Sequence, residues 1–134
     1  MGELNIIVTC LMGPGTLEAK LQPLSVAEKV KHIYVLRKYP GPPIDKVTYL
    51  NLPAICRISI FNLILAPLYL IYYTRKYKID LIISYHFVPH AVFAFIASSF
   101  TRVPYIVSQT GLYIQNTVKK KIYRKTILKI LRKA

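Results

Sequence analysis

Ile79-Asp-Leu-Ile-Ile-Ser-Tyr-His-Phe-Val-Pro-His-Ala-Val-Phe-Ala-Phe-Ile-Ala-Ser-Ser-Phe-Thr-Arg-Val-Pro-Tyr-Ile-Val-Ser-Gln-Thr-Gly111 decides the fold of this chain. The stretch is a β-rich apolar run, a proline turn, a longer Ala-rich apolar run, a two-residue break and a second β-rich run. Strands that are apolar throughout are the mark of a parallel sheet covered on both faces. Two of them joined by a helix of about ten residues make a βαβ unit, which is nearly always right-handed. Special residues follow each strand: Tyr85, His86 and Pro89 after the first, Gln109, Thr110 and Gly111 after the second. Open α/β sheets bind ligands outside the carboxyl ends of their strands, so chemistry is expected at those positions.

Towards the N-terminus the same rhythm continues. Leu4 to Cys10 reads as a first strand, followed by a glycine turn, Gly13-Pro-Gly15. Leu17 to Lys31 reads as a helix interrupted at Pro23, with Ser25 placed to cap a restart and Glu28 at the capping-box position. His32–Leu36 and Val47–Leu52 are the next strands, separated by the loop Pro40-Gly-Pro-Pro43. Ile55 to Lys78 forms a long apolar helix. Its uncharged run, Ile58–Tyr73, is shorter than the roughly 20 residues of a bilayer span, contains Pro67 and is flanked by Arg57, Arg75 and Lys76. The expectation is therefore a helix buried against the sheet or half seated in a membrane interface. Ala91–Phe100 is the crossover helix, and residues 116–134 form a basic C-terminal helix. The order β, loop, α, β, β, α, β, α, β, α predicts a three-layer, Rossmann-like α/β sheet, mainly parallel, with helices on both faces. Residues 1–134 form one such unit, without internal repeats.

Composition bounds the partners. The formal net charge is +14, with five acids (Glu3, Glu18, Glu28, Asp45 and Asp80) and none after Asp80. A field of that sign attracts phosphates, nucleic acid or an anionic bilayer surface. The aromatics lie within apolar runs rather than among the basic residues, which disfavours nucleic acid. Hydrophobic content of 54% and mean hydropathy of +0.38 are high. They call for buried parallel strands, a membrane contact or a partner surface. Cys10 and Cys56 are far apart in apolar surroundings and read as buried free thiols of a cytosolic protein. No basic segment followed by an apolar one opens the chain, so no secretory signal is expected.

Three constellations could carry function. Gly13 and Gly15 serve either as a plain turn or as a loop that lets backbone approach a phosphate at a helix N-terminus. Glu18 occupies the third small-residue position of the dinucleotide fingerprint, which counts against NAD or FAD. His86, just past a strand, either hydrogen-bonds a ligand or is satisfied by backbone. With Pro89 between His86 and His90, the pair does not share a helical face, and no metal is expected. Gln109, Thr110 and Gly111 either end a strand or offer an amide, a hydroxyl and free backbone to a hydroxyl-rich or phosphate ligand. Neither a nucleophile elbow nor a Walker loop is present. The basic tail reads as a solvated helix face, or as a surface helix on anionic lipid.

Asn5-Ile-Ile-Val-Thr9 with its glycine turn, Asp80-Leu-Ile-Ile-Ser-Tyr-His86, the helix Ala91–Phe100 and Val103-Pro-Tyr-Ile-Val-Ser-Gln-Thr-Gly111 together resemble the N-terminal lobe of GT-B-fold glycosyltransferases of the retaining, family-four type. The resemblance implies metal-independent transfer of a sugar from a nucleotide-sugar to an acceptor, lipid-linked or glycan, with no further cofactor. It implies substrate-binding roles for Gly13, Gly15, His86, Gln109, Thr110 and Gly111, and assigns no catalytic residue. Gln109-Thr-Gly111 departs from the His or Asp that the family often carries there. The family's nucleotide site lies mainly in a second lobe. The implied partner is thus a missing C-terminal lobe or partner chain, and the isolated chain is expected to be inactive. The implied location is cytoplasmic, peripheral on the inner membrane face. The alternative is a membrane-associated scaffold anchored by its apolar helix and cationic tail.

Overall fold

A computed structural model describes residues 2–108 and 121–134. Among the described residues five strands, β1 (Leu4–Thr9), β2 (Val30–Arg37), β3 (Val47–Asn51), β4 (Leu81–Tyr85) and β5 (Tyr105–Ser108), form one sheet in the order β3-β2-β1-β4-β5. Every neighbouring pair is parallel. The expectation of a mainly parallel sheet becomes an entirely parallel one. The chain first winds outward from β1 to β3, then returns beside β1 and winds the other way. The point of reversal lies between β1 and β4, where Ile7 faces Ile82 and Thr9 faces Ser84 in register.

The period-two alternation of a strand sends successive side chains to opposite faces, and here it feeds two cores. Ile6 and Val8 pack with Leu17, Leu21, Ile33 and Val35 under α1 (Pro14–Ser25). Ile7 and Ile82 pack with Leu70, Phe93, Ala97 and Ile130 under α2 (Ser59–Lys76), α3 (Val92–Thr101) and α4 (Lys121–Lys133). The result is three layers, with α1 the one helix on its face among the described residues.

Two helices depart from expectation. The helix drawn from Leu17 to Lys31 instead begins at Pro14, with Gly13 as its cap residue, and ends at Ser25. Proline suits the first helical position because its missing N–H would have no partner there anyway. Pro23 falls in the last turn and no second helix starts beyond it. Ser25 therefore caps nothing, and its hydroxyl donates back to the Gln22 carbonyl at 2.8 Å. The helix expected from Ile55 is split, because Ala54–Arg57 forms a separate 3-10 turn and Ile58 is extended, so α2 begins at Ser59. Expected residues 116–120 of the basic C-terminal helix lie outside the described residues. What is described begins at Lys121 and is pinned to β5 by a hydrogen bond from the Tyr105 hydroxyl to the Ile130 carbonyl. Among the described residues no helix is long and apolar enough to cross a membrane.

β2 and β3 are joined without a helix. The loop between them crosses the α1 face and lies flat on it, with the Tyr49 hydroxyl donating to the Pro42 carbonyl. Gly41 makes the close approach. A Cβ there would stand 2.7 Å from Tyr49 Cε1 and 2.8 Å from Leu17 Cδ2. Gly41→Ala is expected to cost about 1–3 kcal/mol through this overpacking, read as a lower urea midpoint with unchanged slope.

The rim where strands begin is held differently. The Asp80 carboxylate accepts the Asn5 backbone N–H at 2.8 Å, while the Asp80 N–H donates to the Asn5 carbonyl at 2.9 Å, clamping β1 to β4. Lys46, Lys78 and Arg102 adopt left-handed backbone at φ 60°, 50° and 62°, each just before a strand. Side chains with a Cβ are disfavoured there. Arg102→Gly is expected to stabilise the fold by about 0.5–1 kcal/mol, measured as a rise in the same midpoint.

Candidate functional site

At the opposite rim, where strands end, a cavity of about 230 Å³ opens beside the reversal point. β1 contributes Thr9 and the following Cys10, β2 contributes Arg37 and the following Lys38, α2 contributes Ser59 and Asn62, and the approach to α3 contributes Pro89 and His90. The sequence places these groups together through topology alone, since the outward and return windings both begin at this rim.

His90 sits on a widened, π-helical turn, Phe87–Ala91, that precedes α3. Pro89 in that turn has no N–H to give to a regular helix, and such widened turns recur at functional sites. The turn carries the ring back over β1, where Nδ1 and the Thr9 hydroxyl are hydrogen-bonded at 2.8 Å. Burial, with help from His86 and Lys38, pushes the imidazole down to about 4. His90 is therefore neutral at pH 7 and keeps one nitrogen as a donor and one as an acceptor. Phe93 meets the ring edge-on at 5.6 Å and fixes its plane.

Arg37 is only 6% exposed. Its Nη2 donates to the Met12 carbonyl at 3.0 Å. Its Nε and Nη1 are buried and have no hydrogen-bond partner among the described residues. Cys10 beside it is held as a thiol, because burial pushes it up to about 11 against the opposing pull of Arg37. The thiolate is the nucleophilic form, so Cys10 is inert at neutral pH. Among the described residues no group of His, Cys, Asp and Glu is arranged to hold a metal ion. The arrangement can bind and orient an anionic or hydroxylated ligand and pass a proton through a neutral imidazole; it presents no carboxylate to the cavity.

The residues expected from sequence fall unevenly around this centre. His86 follows β4 immediately, its ring 6.3 Å from that of His90, with Nε2 buried and unpaired among the described residues. As expected, His86 and His90 do not share a helical face. Gly13 and Gly15 form no free loop: the first caps α1, its carbonyl accepting the Leu17 N–H at 3.0 Å, and the second lies in the first turn. A Cβ at either glycine would meet nothing within 4 Å, and neither lines the cavity. Gln109, Thr110 and Gly111 lie outside the described residues, immediately after the end of β5.

Sequence reasoning passed over Thr9, Arg37 and Asn62. A signal for Arg37 was present: it is the cation that ends the apolar run His32–Leu36. Asn62 is one of two polar residues, with Thr74, buried along the inner side of a largely apolar helix. No family model matches the chain, and no curated protein matches it.

Proposed function

We propose that this chain is the acceptor-side lobe of a two-lobe glycosyltransferase, moving a sugar from a nucleotide-sugar to a hydroxylated acceptor. A second Rossmann-like lobe, on the same chain or another, holds most of the nucleotide. The observation that carries the proposal is the cavity at the reversal point of an all-parallel sheet, with Thr9, His90 and Arg37 converging on it. The resemblance of the segments around His86 and Val103–Gly111 to the family-four lobe supplies the reaction class. In this reading the neutral His90 ring and the Thr9 hydroxyl hydrogen-bond acceptor hydroxyls and His86 supports the ring, while substrate-binding roles for Gly13, Gly15, Gln109, Thr110 and Gly111 rest on the resemblance alone.

Saturation-transfer NMR with a panel of saccharides, nucleotide-sugars, NAD and S-adenosylmethionine tests this. Saccharide signals that weaken in Thr9→Val and His90→Phe are expected. Tight binding of NAD or S-adenosylmethionine with no saccharide response would leave a different nucleotide-binding protein as the better reading.

One observation favours a second reading, the membrane-associated scaffold. Ile60, Ile64, Leu68 and Tyr72 recur every fourth residue along the outer side of α2, and all are exposed. Apolar surface of this kind marks protein or membrane contacts. Flotation with anionic but not zwitterionic vesicles, combined with no saccharide response, would favour it.

A further inference from the structure

We infer that the cavity at the ends of β1 and β2 binds a phosphoryl group, held between the Arg37 guanidinium and the uncapped N-terminus of α2. The inference deepens the transfer reading and rests on it for what the phosphate is attached to, not for the binding itself.

Two independent observations converge. The first is Arg37. A guanidinium taken out of water loses several kcal/mol of hydration unless it is paired. Here the side chain is 94% buried, as its 6% exposure implies. One backbone carbonyl engages one of its nitrogens, and two nitrogens are left unpaired among the described residues. None of the described residues lining the cavity is acidic. Arg37 thus brings to the wall of the pocket a buried charge that the described residues compensate through one carbonyl alone, and a guanidinium is the side chain best matched to phosphate oxygens.

The second is the start of α2. Its cap residue is Ile58, which has no side-chain acceptor, and the first turn contains no acid. The first N–H groups of a helix have no partner within it and carry the positive end of the helix dipole. Asn62, the first residue of α2 whose N–H has a partner among the described residues, donates to the Ile58 carbonyl at 3.0 Å. Ser59 and Asn62 line the same cavity as Arg37. A helix N-terminus and a buried, half-paired arginine at the wall of one cavity together make an anion site. Lys38 at the mouth adds a third positive contribution. The volume of about 230 Å³ is below the roughly 300–1,000 Å³ of pockets that enclose a whole small molecule. It suits one phosphoryl group, with the rest of the ligand projecting out.

The phosphate could be free or carried by a lipid, and the test separates the two. Inorganic phosphate is titrated into the ¹⁵N-labelled chain while the Arg37 Nε–H resonance is followed, with calorimetry for affinity. Binding in the millimolar range and a shift of that resonance are expected. Arg37→Met should weaken binding by about tenfold or more and leave the thermal midpoint at or above wild type, because it removes a poorly paired buried charge. Should the Met variant not fold, Arg37→Lys keeps the charge without the fork and should still weaken phosphate. Dihexanoyl phosphatidic acid binding more tightly than glycerol 3-phosphate assigns the site to a lipid phosphate; the reverse order assigns it to a soluble one. No shift of Arg37 at millimolar phosphate, or equal affinity in the variant, overturns the inference. Phosphate binding without any saccharide response overturns the transfer reading alone, and a saccharide response without phosphate binding overturns this inference alone.

Discussion

Acidified from pH 6.5 to pH 4, the folded chain is expected to lose about 3 kcal/mol of stability through His90 alone. The imidazole protonates near 6.5 when unfolded but only near 4 when folded, because burial, His86 and Lys38 all oppose a charge there. Between those values the unfolded state binds the extra proton, so stability rises with pH across the window. The contribution is fully present above pH 6.5, falls as the pH drops, and is gone below pH 4. A displacement of that size corresponds to about 3 kcal/mol. His32, also lowered by burial, adds a smaller slope of the same sign. Urea titrations at half-unit pH steps would show the dependence. His90→Gln, which can still hydrogen-bond Thr9, should flatten most of it, whereas His32→Gln should leave most of it. An unchanged slope in His90→Gln would mean that the ring is not held neutral by its surroundings.

The second large effect separates two leucines two positions apart on α2. Leu70 is fully buried and packs in the core with Ile7, Ile82 and Phe93, whereas Leu68 is 56% exposed. Leu70→Ala removes packing that the sheet cannot easily collapse to refill, and should cost about 2–5 kcal/mol. Leu68→Ala leaves the core alone and should change stability by no more than about 0.5 kcal/mol. Parallel urea melts of the two variants decide the matter. Similar losses in both would mean that the outer side of α2 is covered, by self-association or otherwise, under the conditions of measurement.

That contrast also marks where the sequence stopped being legible. The strands were visible because β-branched residues cluster between turn signals, and the run from Ile79 to Ser108 carried its own βαβ punctuation. The layering followed from the order of elements. On α2, however, apolar residues occupy both sides, so periodicity cannot say that Asn62, Ala66, Leu70 and Thr74 form the inner line while Ile60, Ile64, Leu68 and Tyr72 form the outer one. Only the sheet beneath decides it. The sequence pointed to the carboxyl ends of the strands, the rim where the cavity lies, but not to most of the residues that line it. His86 drew attention because it directly follows a strand, yet it is not among the lining residues. Thr9 and Arg37 were passed over because each ends a strand as a single polar residue, and what makes them a pair is the adjacency of β1 and β2. Gly13 and Gly15 drew attention as a loop, but Pro14 starts a helix at once and draws both into its first turn.

The strained backbone before three strands has a practical consequence. Strands of four to eight residues, at about 3.3 Å per residue, put Arg102 roughly 13 Å or more from the ligand end of the sheet. Changes that far apart combine independently. An Arg102→Gly background would therefore act as a neutral ballast for mutagenesis: losses of function in Thr9, Arg37 or His90 variants could be read as chemistry, since the background offsets about 0.5–1 kcal/mol of any accompanying unfolding without touching the crevice.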